Sequence, residues 1–169
     1  MVKELSKEEV DFIRLQMLYN ISNGWSWFAY KRLGPKGIIE VELEMWENLL
    51  PPAVDLLVQL IAPEGTSIEK AKYLINQVSK INGYELKYLE ETPKSLKWEY
   101  TVCPNWNSLV QLDYEDYLSR GGKPAKVSCI HGCAAVHKNY FKKIDPQLKV
   151  QSLKNRPNAD ETCIFQITK

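Results

Sequence analysis

The chain has 169 residues, 44% of them hydrophobic, which suits one domain (1–169) with a core of its own. A formal net charge of +1 excludes a protein that works by bulk electrostatic attraction, and no nucleic-acid-binding signature accompanies the basic run from Arg120 to Arg156. The greasiest segment, Leu49–Ala62, is broken by Pro51, Pro52, Asp55 and Gln59 and is too short to span a bilayer, so no membrane partner is expected.

Met1–Asp11 is polar and charged, without the apolar stretch of a secretory signal, and a cytoplasmic location is expected. Ser6 followed by Glu9 is a capping box that opens a helix, and Val10, Ile13, Met17 and Ile21 carry its apolar stripe towards Leu33. The aromatic-dense stretch Gly24–Tyr30 lies within it. Its rings fit either core or the wall of an apolar ligand pocket, with Trp25 and Phe28 as wall candidates and Trp46 joining them from the next helix. Gly34-Pro35-Lys36-Gly37 breaks the helix. A second helix is predicted over 38–50 with Val41, Met45 and Trp46 buried, and a third resumes after Pro51-Pro52 as far as Ile61. A further capping box, Thr66 with Glu69, starts a helix that buries Ala71, Leu74, Ile75 and Val78 and stops at Asn82-Gly83.

The pattern then changes to strands. Tyr84–Glu90 and Ser95–Val102 read as a hairpin turning at Thr92-Pro93-Lys94, and Cys103-Pro104 ends the second strand. A short helix is predicted around 113–118. A longer one runs from Ala125 to Ile144, closed by Asp145-Pro146. Leu148–Lys154 and Glu161–Thr168 form a second hairpin through Pro157-Asn158. The expectation is an α+β domain: a helical layer (6–83) packed on a four-stranded, mostly antiparallel sheet of strand-strand-helix-strand-strand order (84–169).

Two of the four cysteines and both histidines fall between Cys129 and His137. On a helix, Cys129, Cys133 and His137 stack at i, i+4 and i+8, with His131 on the other side. Thiolate and imidazole are the preferred ligands of zinc and similar transition metals, and Cys103 or Cys163 is positioned by the topology to complete a site. The same spacing, extended by Val136 and Tyr140, also describes a plain core-facing stripe in which cysteine acts as a small hydrophobe. A reactive thiol, Cys133 with His137 as its base, is a third reading.

Several motifs in this order resemble two related groups. They are Trp27-Phe28, Lys31-Arg32-Leu33-Gly34, Trp46, Cys103 after the second strand, the Cys-rich helix and the closing Cys163-Ile164-Phe165. One group is the L-2-amino-thiazoline-4-carboxylic acid hydrolases and their cytosolic relatives; the other, more distant, is the 4-vinyl reductase domain, a small-molecule-binding module. The second resemblance implies a zinc site joining Cys163 to Cys129 or Cys133 beside a pocket for an aromatic or hydrocarbon ligand. This chain departs from that pattern at Ser152 and Asn155, so Cys103, His137 or His131 would supply the remaining ligands. It departs from the hydrolases at Ile164, where they carry an acidic residue. The expected function is thus a small-molecule-binding domain with a Cys/His zinc site, with metal- or cysteine-dependent hydrolysis of a small heterocycle as the alternative. The aromatic-rich first helix would also suit a homodimer surface.

Overall fold

The computed structural model describes residues 4–111, 133–156 and 161–169. Its order is α1 (Lys7–Ile61), α2 (Ser67–Asn82), β1 (Glu85–Thr92), β2 (Ser95–Val102), α3 (Pro104–Gln111), α4 (Cys133–Ile144), β3 (Lys149–Lys154) and β4 (Cys163–Thr168). The four strands form one antiparallel sheet in the order β1-β2-β4-β3, so the two hairpins meet through their later strands. This is the α+β domain expected, with helices leading and a helical crossover between the hairpins. The short helix predicted at 113–118, the first turns of the helix predicted from Ala125, and the turn at Pro157-Asn158 lie outside the described residues.

Alternation builds the core. Leu96, Trp98 and Tyr100 of β2 and Cys163, Phe165 and Ile167 of β4 point to one face, as a period of two requires. The register sets Trp98 opposite Phe165, and their rings stack at 5.8 Å between centroids. Two helices close this face. α2 buries Ile68, Ala71, Leu74, Ile75 and Val78, including all four residues its periodicity predicted, and α4 contributes Phe141 and His137. Both predicted capping boxes are formed, at Ser6/Glu9 and Thr66/Glu69. Asp145, at the end of α4, accepts from Ser67 at 2.6 Å and pairs with Lys169 at 3.0 Å, tying three chain segments together and holding its carboxyl down at about 2.

α1 departs from expectation in two ways. The first concerns the prolines. The helix runs through Pro51-Pro52, although neither residue can donate the next helical hydrogen bond. α4 grips it on both sides of the pair: Asn139 donates to the Trp46 carbonyl at 3.3 Å, and Lys143 pairs with Asp55 at 2.7 Å. The break expected at Gly34-Pro35-Lys36-Gly37 is present and falls at Gly34, where φ is 71° and ψ −179°. That conformation is open to glycine, and the following Pro35 excludes the helical one. The chain turns there and continues as a second arm.

The second departure is the direction α1 faces. Ile13, Met17 and Ile21 are exposed, as is Val41 in the second arm. Trp25 is 71% exposed and Phe28 63%, so neither is core. In the first arm the stripe turned towards the protein is the polar one, whereas the second arm buries Ile38 and Val54 beside Glu42. Tyr19 donates to the Asn82 carbonyl at 3.2 Å, Asn23 to the Asn105 carbonyl at 3.3 Å, and Ser108 to Asn20 Oδ1 at 2.7 Å. These partners are polar groups of α2 and α3, and they select the matching face of α1.

Substitutions separate the two kinds of tryptophan. Trp98→Ala, at a fully buried ring, is expected to lower unfolding free energy by about 3–5 kcal/mol, and Trp25→Ala by less than about 1 kcal/mol. Gly34→Ala is expected to remove about 1–3 kcal/mol, because alanine is strained at this backbone conformation. Urea unfolding of the three variants checks all three values.

Candidate functional site

Both arms of α1 stand over the sheet end from which β2 leaves for α3. Ser26 and Glu42, each eight positions from Gly34, line the same cavity, which among the described residues measures about 350 Å³. Its floor is Tyr100, Cys163 and Phe165 of the sheet, and one side is Cys133, Val136, His137 and Tyr140 of α4. Cys103 and Trp106 close the end at α3.

The sequence singled out six candidate ligands and three pocket residues. Of the nine, Cys103, Cys133, Cys163, His137 and Trp46 line this one cavity. Cys129 and His131 lie outside the described residues. Trp25 and Phe28 are not on the wall: they project from the outer side of α1, because the helix turns its polar stripe inward.

Each thiol has a local reason for its position. Cys103 caps α3: its Sγ accepts from the Trp106 N–H at 3.4 Å and its carbonyl from the Asn107 N–H at 3.1 Å. Proline at the next position, without an N–H to satisfy, suits the first helical residue. Cys163 opens β4, and its Sγ accepts from the Arg156 N–H at 3.3 Å. Cys133 stands at the start of the described part of α4. Burial pushes the Cys103 thiol up and the Cys133 thiol far up, and the neighbouring sulfurs add to both. The Arg156 guanidinium opposes this without overcoming it, so these thiols are neutral at physiological pH.

His137 is fixed at both nitrogens. Nδ1 lies 2.7 Å from the Cys133 carbonyl, an acceptor only, so Nδ1 carries the hydrogen. Nε2 is therefore the acceptor, taking the Tyr100 hydroxyl hydrogen at 2.9 Å. The ring stacks on Phe165 at 4.4 Å, and burial holds its pKa down at about 4. A histidine in this state has no free lone pair for a metal or for a proton from Cys133. The nucleophile-and-base pairing of Cys133 with His137 is accordingly not assembled, since such a pair needs an easily ionised thiol and a basic imidazole.

Among the described residues no group of three His, Cys, Asp or Glu side chains is placed to hold a metal ion. Zinc binding would have to displace the thiol protons beside a guanidinium, and His137 has no free lone pair to add as a ligand. The described residues alone do not fit a zinc ion, and the zinc expectation comes to rest on Cys129 and His131.

Arg156, Glu42 and Tyr100 are wall residues that the sequence did not single out. Arg156 closes the basic run that begins at Arg120, yet it is 3% exposed. It follows β3, folds back over the end of β2, and donates from Nη2 to the carbonyls of Tyr100 at 2.8 Å and Thr101 at 3.5 Å. Nothing in local composition marks it as buried.

Comparison with known proteins gives no relative: no family model, no curated protein and no solved structure matches the chain. Among the described residues, no helix is long and apolar enough to cross a membrane.

The state of His137 sets a pH dependence. Its folded value of about 4 lies below the ordinary 6.5, so between these limits the unfolded chain binds more protons than the folded one. Stability is complete above pH 6.5 and falls as pH drops towards 4, by about 3 kcal/mol in total. The loss tied to Asp145 comes in a separate, lower window, from 3.8 down to about 2. Urea unfolding across the upper window is expected to show this slope in wild type and not in His137→Gln.

Proposed function

We propose that this protein binds a small, largely apolar molecule in the cavity enclosed by α1, α4 and the sheet. One observation carries the reading: a space of about 350 Å³ walled by Trp46, Tyr84, Tyr100, Trp106, Tyr140 and Phe165, with few polar groups among them. Ligand cavities span roughly 300–1,000 Å³ and share this character. Aromatic walls favour an apolar body over water.

The convergence of Cys103, Cys133 and Cys163 on this cavity agrees with what the 4-vinyl reductase resemblance implies about its position. It does not by itself supply a metal. Elemental analysis of protein purified without chelator decides that part. Stoichiometric zinc, lost in both Cys133→Ser and Cys163→Ser, adds a metal to this reading; no zinc leaves the cavity as the binding element. No observation favours the hydrolytic alternative, because Cys133 and His137 are held in their unreactive forms.

The reading is tested with N-phenyl-1-naphthylamine, a neutral fluorophore that brightens in apolar surroundings. Wild type is expected to bind it saturably and to melt at a higher temperature in its presence. Ser26→Trp places a large ring in the cavity and is expected to weaken binding by about tenfold or more while the circular dichroism spectrum is retained. Equal binding by the two proteins would exclude this cavity as the site.

A further inference from the structure

We infer that the cavity's ligand is an organic anion with an apolar body and a single carboxylate, and that Arg156 receives the charged end. The inference rests on the proposed binding role of the cavity and adds the chemical class of its occupant.

Arg156 is a full charge removed from water. Guanidinium does not deprotonate in proteins, so it cannot escape the penalty of burial by becoming neutral. Its Nη2 is held by the carbonyls of Tyr100 and Thr101, but these acceptors are neutral and leave the charge uncompensated. Its Nε is buried and has no hydrogen-bond partner. No ion pair among the described residues joins it to a carboxylate. Buried charges in proteins are ordinarily paired, and a buried donor left without a partner is costly. Arg156 lines the cavity, so an occupant is placed to supply the counter-charge.

The wall also limits what the anion is. Among the described lining residues Arg156 is the one cation, since His137 is neutral. Glu42 is buried on the same wall and has an interaction of its own. One cation suits a monoanion and disfavours a phosphate dianion, which normally gathers several donors and cations. Apart from the polar side chains of Ser22, Asn23, Ser26, Asn82 and Asn105, the remaining walls are mostly rings, aliphatic side chains and thiols, which match an alkyl or aryl body. The carbonyl bonds fix the guanidinium in place before the ligand arrives, so little ordering remains on binding.

The test compares acids with their neutral amides. Octanoate and 4-phenylbutyrate are titrated at neutral pH against octanamide and 4-phenylbutyramide, each displacing N-phenyl-1-naphthylamine. Wild type is expected to bind the acids about tenfold or more tightly than the amides. Arg156→Met is expected to lose the acids' advantage over the amides, and Arg156→Lys to keep part of it. Equal affinity of acid and amide for wild type overturns the anion inference and leaves the cavity reading intact. So does an acid preference that survives in Arg156→Met, or a cavity-bound probe that neither acid displaces. If Ser26→Trp binds the probe as wild type does, the cavity reading fails and the inference falls with it. Should Arg156→Met not fold, the wild-type comparison and Arg156→Lys decide the matter.

Discussion

The imidazole of His137 is the point on which this architecture turns. Its two nitrogens join the backbone of α4 to the hydroxyl of Tyr100, and its plane lies on Phe165 of the central strand pair. These contacts set how far α4 stands from the sheet. That spacing in turn places Cys133, Val136 and Tyr140 on a wall rather than in the packed core. The ring does this as a neutral group with a fixed tautomer. A charged imidazole here would face a carbonyl it still satisfies and a phenol hydrogen it now repels. The desolvation that makes the charge unfavourable is the same burial that makes the contact rigid.

Around that point the molecule divides into a closed half and an open half. The sheet face from Leu96 to Ile167 is sealed by α2 and by Phe141, with side chains in alternating register. At the other end, where β2 gives way to α3, the described residues form no such closure. α1 brings Tyr19 and Asn23 against the ends of α2 and α3, and Ser22 and Ser26 line the cavity beside them. The result is a space with aromatic sides, a few polar groups and one fixed guanidinium.

How much of this was legible depends on the kind of signal. The strands declared themselves, because Leu96/Trp98/Tyr100 and Cys163/Phe165/Ile167 alternate and nothing but a two-residue period explains them. α2 was equally plain from its capping box and its stripe. α1 was not, for a geometric reason. Periodicity shows that Met17 and Ile21 share a side of a helix, but not whether that side meets the protein. Trp25 and Phe28 were misplaced for the same reason. The gathering of Cys103, Cys133 and Cys163 followed from topology, once a crossover helix between two hairpins was recognised. Arg156 was hidden because burial of a charge is a tertiary fact: its sequence neighbours Asn155 and Pro157 announce a turn and nothing more.

The break at Gly34 has a mechanical consequence. Ser26 and Glu42 lie eight residues from it on opposite arms, a lever of roughly 12 Å at helical rise. A tilt of a few degrees at the joint displaces those walls by a sizeable fraction of an ångström. The internal dimensions are thus governed partly from a site that touches no occupant. Sequence drift near the bend can retune which shapes are admitted while every wall residue stays the same.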